Sequence, residues 1–225
     1  LQDILTNRLS IILKARQLGI TWLVLAYAVW CMVFKAGFMV VALSRGEEEA
    51  KELVRRIGFI LRHLPGWVGV QYTPTASQII INHANGEPSV FKSFTAAADS
   101  GRSFTANLVI LDEWAFQQFA REIWRAAYPT INRPTGGQLI GLSTIERGTL
   151  FEDIWQDKDN NFHRIFLGWD TDPRRTAKWY EQTKRDLGDA ALAEYPATEE
   201  EAFAIPGGAY FNEVRKHVHL RPSEP

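Results

Sequence analysis

The sequence predicts an α/β fold, with a mostly parallel central sheet flanked by helices. Three observations carry this. The apolar runs Leu9–Leu13, Leu108–Leu111 and Gln138–Leu142 stop abruptly at polar residues, as strands buried on both faces do. Helix-length segments separate them, and such strand–helix alternation implies parallel strands covered on both faces. The 225 residues, 46% hydrophobic and 23% charged, suffice for one sizeable core and a small appendage.

Taken in order, Leu9–Leu13 leads into the polar turn Lys14–Gly19 and a helix from about Thr21 to Phe34. Phe38–Leu43 is the next strand. The apolar stretch Trp22–Leu43 is not a membrane span, because Lys35-Ala36-Gly37 divides it into pieces too short to cross a bilayer. Gly46–Leu64 reads as an amphipathic helix opened by Ser44, with Glu47, Glu48 and Glu49 at its positive end. Gln78–Asn82 and Ser89–Phe94 read as a hairpin around Asn85-Gly86. A helix near Arg121–Tyr128 should stop before Pro129. Phe162–Trp169 and a helix over Arg174–Leu187 close the regular part, and Asp170 and Asp172 form a turn that caps that helix. Most tryptophans, Trp22, Trp30 and Trp155 among them, sit among apolar neighbours and are read as core.

A net charge of −1 excludes a protein that coats nucleic acid through a uniformly basic surface. Nucleic-acid contact would need local patches, for which Arg55-Arg56-Arg62 and Arg174-Arg175-Lys178 are candidates. The single Cys31 excludes an intrachain disulfide or a cysteine zinc site and suits a reducing cytosol. His83, His163, His217 and His219 lack metal-ligand spacing, apart from a weak His-x-His in the tail.

Two segments carry chemistry. Lys14-Ala15-Arg16-Gln17-Leu18-Gly19-Ile20-Thr21 joins a strand to a helix, where backbone N–H groups can surround an anion. Against the pattern G-x-x-x-x-G-K-[ST], Gly19 and Thr21 match, Ile20 replaces the lysine and Lys14 replaces the first glycine. A lysine at the front of the loop can fold back onto the same phosphates, and Arg16 can add a guanidinium. The octapeptide alone also fits a surface turn bearing solvated cations. The second segment is Leu108-Val109-Ile110-Leu111-Asp112-Glu113, a buried strand ending in two acids. The first can hold Mg²⁺ and the second can act as general base, in the order and spacing of P-loop ATPases with a catalytic glutamate.

The loop resembles the deviant Walker A motif of phage large terminases, in which the lysine often stands at the front. Leu108–Glu113 resembles the family's Walker B strand, and Ser143-Thr144 after Leu142 resembles its coupling motif. Gln2, within Leu1-Gln2-x-Ile4-Leu5, is similar to the adenine-recognising glutamine. Arg102, eleven residues before Glu113, matches an arginine that acts in trans on the neighbouring subunit. Arg121 and Arg125, which share a helix face, are read as surface.

The resemblance implies a P-loop NTPase fold of the additional-strand, catalytic-glutamate type with a small C-terminal lid. Its divisions are 1–165 for the ATPase core, 166–205 for the lid and 206–225 for a tail leading toward a nuclease domain. It implies ATP and Mg²⁺ as ligands, with Lys14 to Thr21 and Gln2 on the nucleotide, Thr21 and Asp112 on the metal, and Glu113, Arg102 and Arg16 catalytic. It also implies double-stranded DNA, a portal protein and procapsid, and a small terminase subunit as partners. The chain is expected to form a homo-oligomeric ring, a pentamer, when assembled, and to be a monomer in isolation. The expected location is the host cytoplasm, transiently at the portal, with no membrane. Only 22 residues follow Phe203, so this chain alone is not expected to cut DNA. Two rivals remain: a helicase-like DNA translocase, which would need a second motor domain, and a non-catalytic nucleotide-binding assembly module in which Ile20 marks a dead site.

Overall fold

The structure is a computed structural model and describes residues 1–84, 86–97, 105–131 and 136–204. Its first half runs α1 (Gln2–Thr6), β1 (Leu9–Lys14), α2 (Ile20–Phe34), β2 (Met39–Ser44), α3 (Glu47–Arg62), β3 (Gln71–Pro74), β4 (Gln78–Asn82) and β5 (Ser89–Thr95). The second half runs β6 (Leu108–Asp112), α4 (Ala120–Ile131), β7 (Gln138–Ser143), α5 (Leu150–Gln156), β8 (His163–Leu167), α6 (Ala177–Leu187), α7 (Ala190–Glu194) and α8 (Glu199–Ala204).

The strands form one sheet in the order β3-β4-β5-β2-β6-β7-β1-β8. The six from β5 to β8 are parallel, and β3 and β4 add an antiparallel edge. Alternate residues of the central strands face opposite cores, as the two-residue period requires. Ile12, Ala42, Ile110 and Leu142 lie in the core under α2 and α3, where Leu25, Met32 and Ile57 also pack. Ile11, Leu13, Leu43, Leu111 and Leu139 face the other core with Trp114, Ile123 and Phe151. Both faces being covered is why these strands read as unbroken apolar runs rather than as alternating ones.

The second core closes tightly at Gly141 in β7. A Cβ there would lie 2.2 Å from Cε3 of Trp114, a ring with no exposed surface. Gly141→Ala is therefore expected to destabilise the fold by about 3 kcal/mol, the upper range for overpacking. A thermal melt checks this, and an unchanged midpoint would contradict the packing.

Several expectations need correction. Ser44 is the buried last residue of β2 and does not cap α3, whose N-cap is Gly46. α4 does not stop before Pro129 but runs through it to Ile131. One helix bond is lost near the end, while buried Ala127 and Ile131 hold that turn on the core. Asp172 makes its turn by accepting from the Arg174 N–H, but α6 is capped by Thr176, whose hydroxyl accepts from the Trp179 N–H. Trp155 is core, at 3% exposure, whereas Trp22 and Trp30 are exposed at 38% and 48%. They stand on the outward side of α2, a helix without a single charged residue, where composition hides which face is buried.

Sequence reading also passed over α1, β3, α5, α7 and α8, most of them short. Asn85 lies outside the described residues. β8 pairs with β1 as far as Leu167, so the expected boundary after 165 falls inside a strand and the sheet extends at least two residues further. Among the described residues no helix is long and apolar enough to cross a membrane, and Trp22–Leu43 divides between α2 and β2.

Candidate functional site

Parallel pairing brings the carboxyl ends of β1, β6 and β7 to one edge. Leu13 lies opposite Ser143 and Asp112 opposite Leu142, so Lys14, Glu113 and Thr144 emerge side by side. Such an edge, flanked by a helix N-terminus, is where open α/β sheets bind ligands.

The turn from β1 to α2 has left-handed backbone at Gln17 (φ 61°) and at Gly19 (φ 75°). Gly19 is the N-cap of α2, and no side chain caps the helix. The first N–H groups of α2 are thus left for an anion. Ile20, where the usual pattern has lysine, packs its side chain against the core under α2.

Lys14 is 5% exposed and donates from Nζ to Oε1 of Glu113 at 3.0 Å. Next to this pair, Thr21 Oγ1 donates to Asp112 Oδ1, also at 3.0 Å. Burial and the neighbouring Glu113 carboxylate push the Asp112 carboxyl up from 3.8 to about 6; the Thr21 hydrogen bond and the charges of Lys14 and Arg56 oppose this. Glu113 adopts left-handed backbone (φ 50°) as the chain leaves β6, which turns its side chain back over the sheet edge. Thr21, Asp112 and Glu113 line an open cleft of about 570 Å³ together with Arg16, Arg56 and Thr144, and Lys14 lines the adjoining smaller pocket over the loop.

A hard divalent cation fits this donor set. Mg²⁺ is typically held by one or two protein oxygens plus phosphate and water, and the buried Asp112 carboxylate beside the Thr21 hydroxyl supplies those oxygens. Among the described residues there is no cluster of three or more His, Cys, Asp or Glu of the kind a fully protein-built metal cage requires.

The raised Asp112 value has a consequence for stability. A carboxyl that binds its proton more tightly when folded destabilises the fold increasingly as pH rises from about 4 to 6. Asp112→Asn keeps the acceptor for Thr21 and removes the charge. It should stabilise the ligand-free protein by about 2 kcal/mol at pH 7, and by little at pH 4. Melting curves at the two pH values check this; equal shifts would refute the electrostatic account.

The structure places the other expected residues as follows. Ser143 is fully buried and its Oγ accepts from the Ala115 N–H at 3.2 Å, tying the tip of β7 to the turn after Glu113. Arg16 points from the loop toward Glu194, Nη1 to Oε1 at 3.0 Å. Ala15 donates its N–H to the Leu167 carbonyl, and Leu18 lies on the pocket over the loop. Gln2 is not brought to this edge. Its helix α1 packs at the opposite end of the sheet, where Gln138, the first residue of β7, donates to the Ile4 and Asn7 carbonyls. The six residues of β1, about 20 Å of strand, separate the two ends. Arg102, His217 and His219 lie outside the described residues. Arg121 is exposed and paired with Asp153, and Arg125 is exposed. His83 bonds the Ser89 hydroxyl and His163 lies 3.3 Å from Asp3, so neither approaches the cleft edge.

Three contributors were not read from the sequence. Buried Gln117 donates from Nε2 to the carbonyls of Leu43 and Asp112, locking β2 and β6 together at the acidic edge. Glu194 accepts the Arg16 N–H on its carbonyl at 2.8 Å, and Arg175 Nη2 donates to the Arg16 carbonyl at 2.7 Å. They come from distant segments, and only Gln117, a glutamine just after the acid pair, carried a local signal.

A parallel sheet with a glycine-capped loop after β1 and an acid pair after β6 defines a P-loop α/β domain. Residues 11–214 match the family described as terminase large subunit, T4likevirus-type, N-terminal, and the chain belongs to that family. Comparison with curated proteins returns no match. Among solved structures, a point mutant of the Thermus phage P74-26 large terminase ATPase domain is 20% identical at a TM-score of 0.72, covering 84% of this chain and 88% of that one. The large terminase of a thermophilic bacteriophage in complex with ADP is 14% identical, TM-score 0.64, covering 81% and 46%. The HK97 bacteriophage large terminase is 19% identical, TM-score 0.59, covering 92% and 45%. The chain thus spans about half the length of these last two proteins.

Proposed function

We propose that this domain is an ATP-hydrolysing motor that moves double-stranded DNA into a procapsid. The observation that carries the reading is the convergence of two pairs, Lys14 with Glu113 and Thr21 with Asp112, at one edge of the sheet. Family membership and the ADP complex of one structural neighbour support nucleotide as the ligand.

In this reading the first N–H groups of α2, Lys14 and Arg16 hold the β- and γ-phosphates. Thr21 and Asp112 hold Mg²⁺, which when bound neutralises charge on the phosphate oxygens. Glu113 takes the proton of the attacking water. For that, Lys14 must leave Glu113 for the phosphates, so substrate binding itself frees the base. Arg102 acts in trans on a neighbour's phosphate, in a ring whose partners are the portal and small terminase subunit. Arg16 also touches Glu194 and Arg175, so its shift toward phosphate would release the α6–α8 segment, the expected lid. Ser143 and Thr144 relay the same event through Ala115.

The reading is tested by ATPase assays across protein concentration with DNA and the partner proteins. Specific activity should rise as the ring assembles, and Arg102→Ala should remove that rise. Absence of nucleotide binding and turnover at every concentration would sink the motor reading in favour of an inert assembly module.

A further inference from the structure

We propose that Arg56 is a further phosphate cation of this site, acting from α3 of the same chain on the terminal phosphate, with Glu52 and the Trp22 ring fixing its guanidinium. The proposal rests on the reading of the β1–α2 turn as a nucleotide loop.

Arg56 borders both the acidic cleft and the smaller pocket over the loop, where it faces Lys14, Thr21 and Glu113. Its side chain is 29% exposed, against 64% for its neighbour Arg55, which borders the outer cleft but not the loop pocket. Two contacts hold it. Nε donates to Glu52 Oε1 at 3.1 Å, and the guanidinium carbon lies 5.2 Å from the centre of the Trp22 ring. Trp22 directly follows Thr21 and is braced edge-on by Phe59, ring centres 5.6 Å apart. An exposed tryptophan at the first turn of α2 thereby acquires a use, as the flat platform for a cation.

Nε is the only nitrogen of this guanidinium engaged in a hydrogen bond to the described residues. The two terminal nitrogens form the planar fork that binds a pair of phosphate oxygens. Arg56 and Asp112 line the same cleft, so a phosphate held beside Asp112 would lie across the cleft from this guanidinium. Lys14 and Arg16 sit on the loop and meet the β-phosphate, which ATP and ADP share, as well as the γ-phosphate. Arg56 approaches from α3, across the cleft, where only a terminal phosphate would reach.

Isothermal titration with ATPγS and with ADP, both with Mg²⁺, tests this on the whole chain. Arg56→Ala should weaken ATPγS about tenfold or more and ADP less than about twofold, since a charge-assisted bidentate contact is lost for one ligand alone. Arg56→Gln gives the same comparison should the alanine variant fail to fold. Arg62→Ala, at a residue of α3 that lines neither pocket, should leave both affinities unchanged, and Glu52→Gln should lower ATPγS selectivity part of the way. Equal weakening of both nucleotides, or of neither, overturns the proposal while leaving the loop reading intact. A wild-type chain that binds neither nucleotide overturns both.

Discussion

Glu113→Gln is expected to lower ATP turnover by about 10²–10⁴-fold, the range for removing a general base, with ADP binding retained. The amide has the same shape and its oxygen still accepts from Lys14 Nζ, so the 3.0 Å contact survives and the buried lysine keeps a partner. What it cannot do is take a proton from water. The Glu113 side chain is 32% exposed but its lysine partner only 6%, so what protects the fold in this variant is the retained amide acceptor for Lys14. The left-handed backbone at 113 is unchanged by the substitution. Phosphate release and ADP titration on the same preparation separate chemistry from binding. Turnover within threefold of wild type would remove Glu113 from the role of base and direct attention to another group on the cleft.

The features that could be read from the sequence share a physical basis. β1, β6 and β7 are buried on both faces, so their sequences are continuous apolar runs, and the acids and hydroxyls at their ends mark the sheet edge. Register then does the rest, because parallel strands of similar length deliver their last residues to one place. What escaped reading depends on tertiary context. The outward face of α2 carries no polar residue, so nothing in its sequence separates buried Met32 from exposed Trp30. Glu194 and Arg175 reach the loop through backbone carbonyls and a long side chain, contacts that leave no local pattern. The adenine role of Gln2 was read from a short motif alone, and the sequence does not show that α1, which precedes β1, packs at the other end of the sheet from the loop.

Lys14→Ala is expected to be comparably damaging, with turnover down about 10³-fold and weaker nucleotide binding, since a charge-assisted phosphate contact is lost in a desolvated site. The position of the lysine is the unusual point. In the common loop it stands just before the hydroxyl residue, where this chain has Ile20. Ile20 packs its side chain on the core under α2, so a lysine there would have to bend out of an apolar site. Lys14 instead ends β1, nearly buried, with Nζ already at the edge where the acids stand. Ile20→Lys in the Lys14→Ala background should therefore restore little activity, and Ile20→Lys alone should cost stability. The decisive comparison is Lys14→Ala against Lys14→Arg in nucleotide titration and phosphate release. Wild-type activity in Lys14→Ala would show that Arg16 and the backbone N–H groups suffice, and that the pair with Glu113 is only structural.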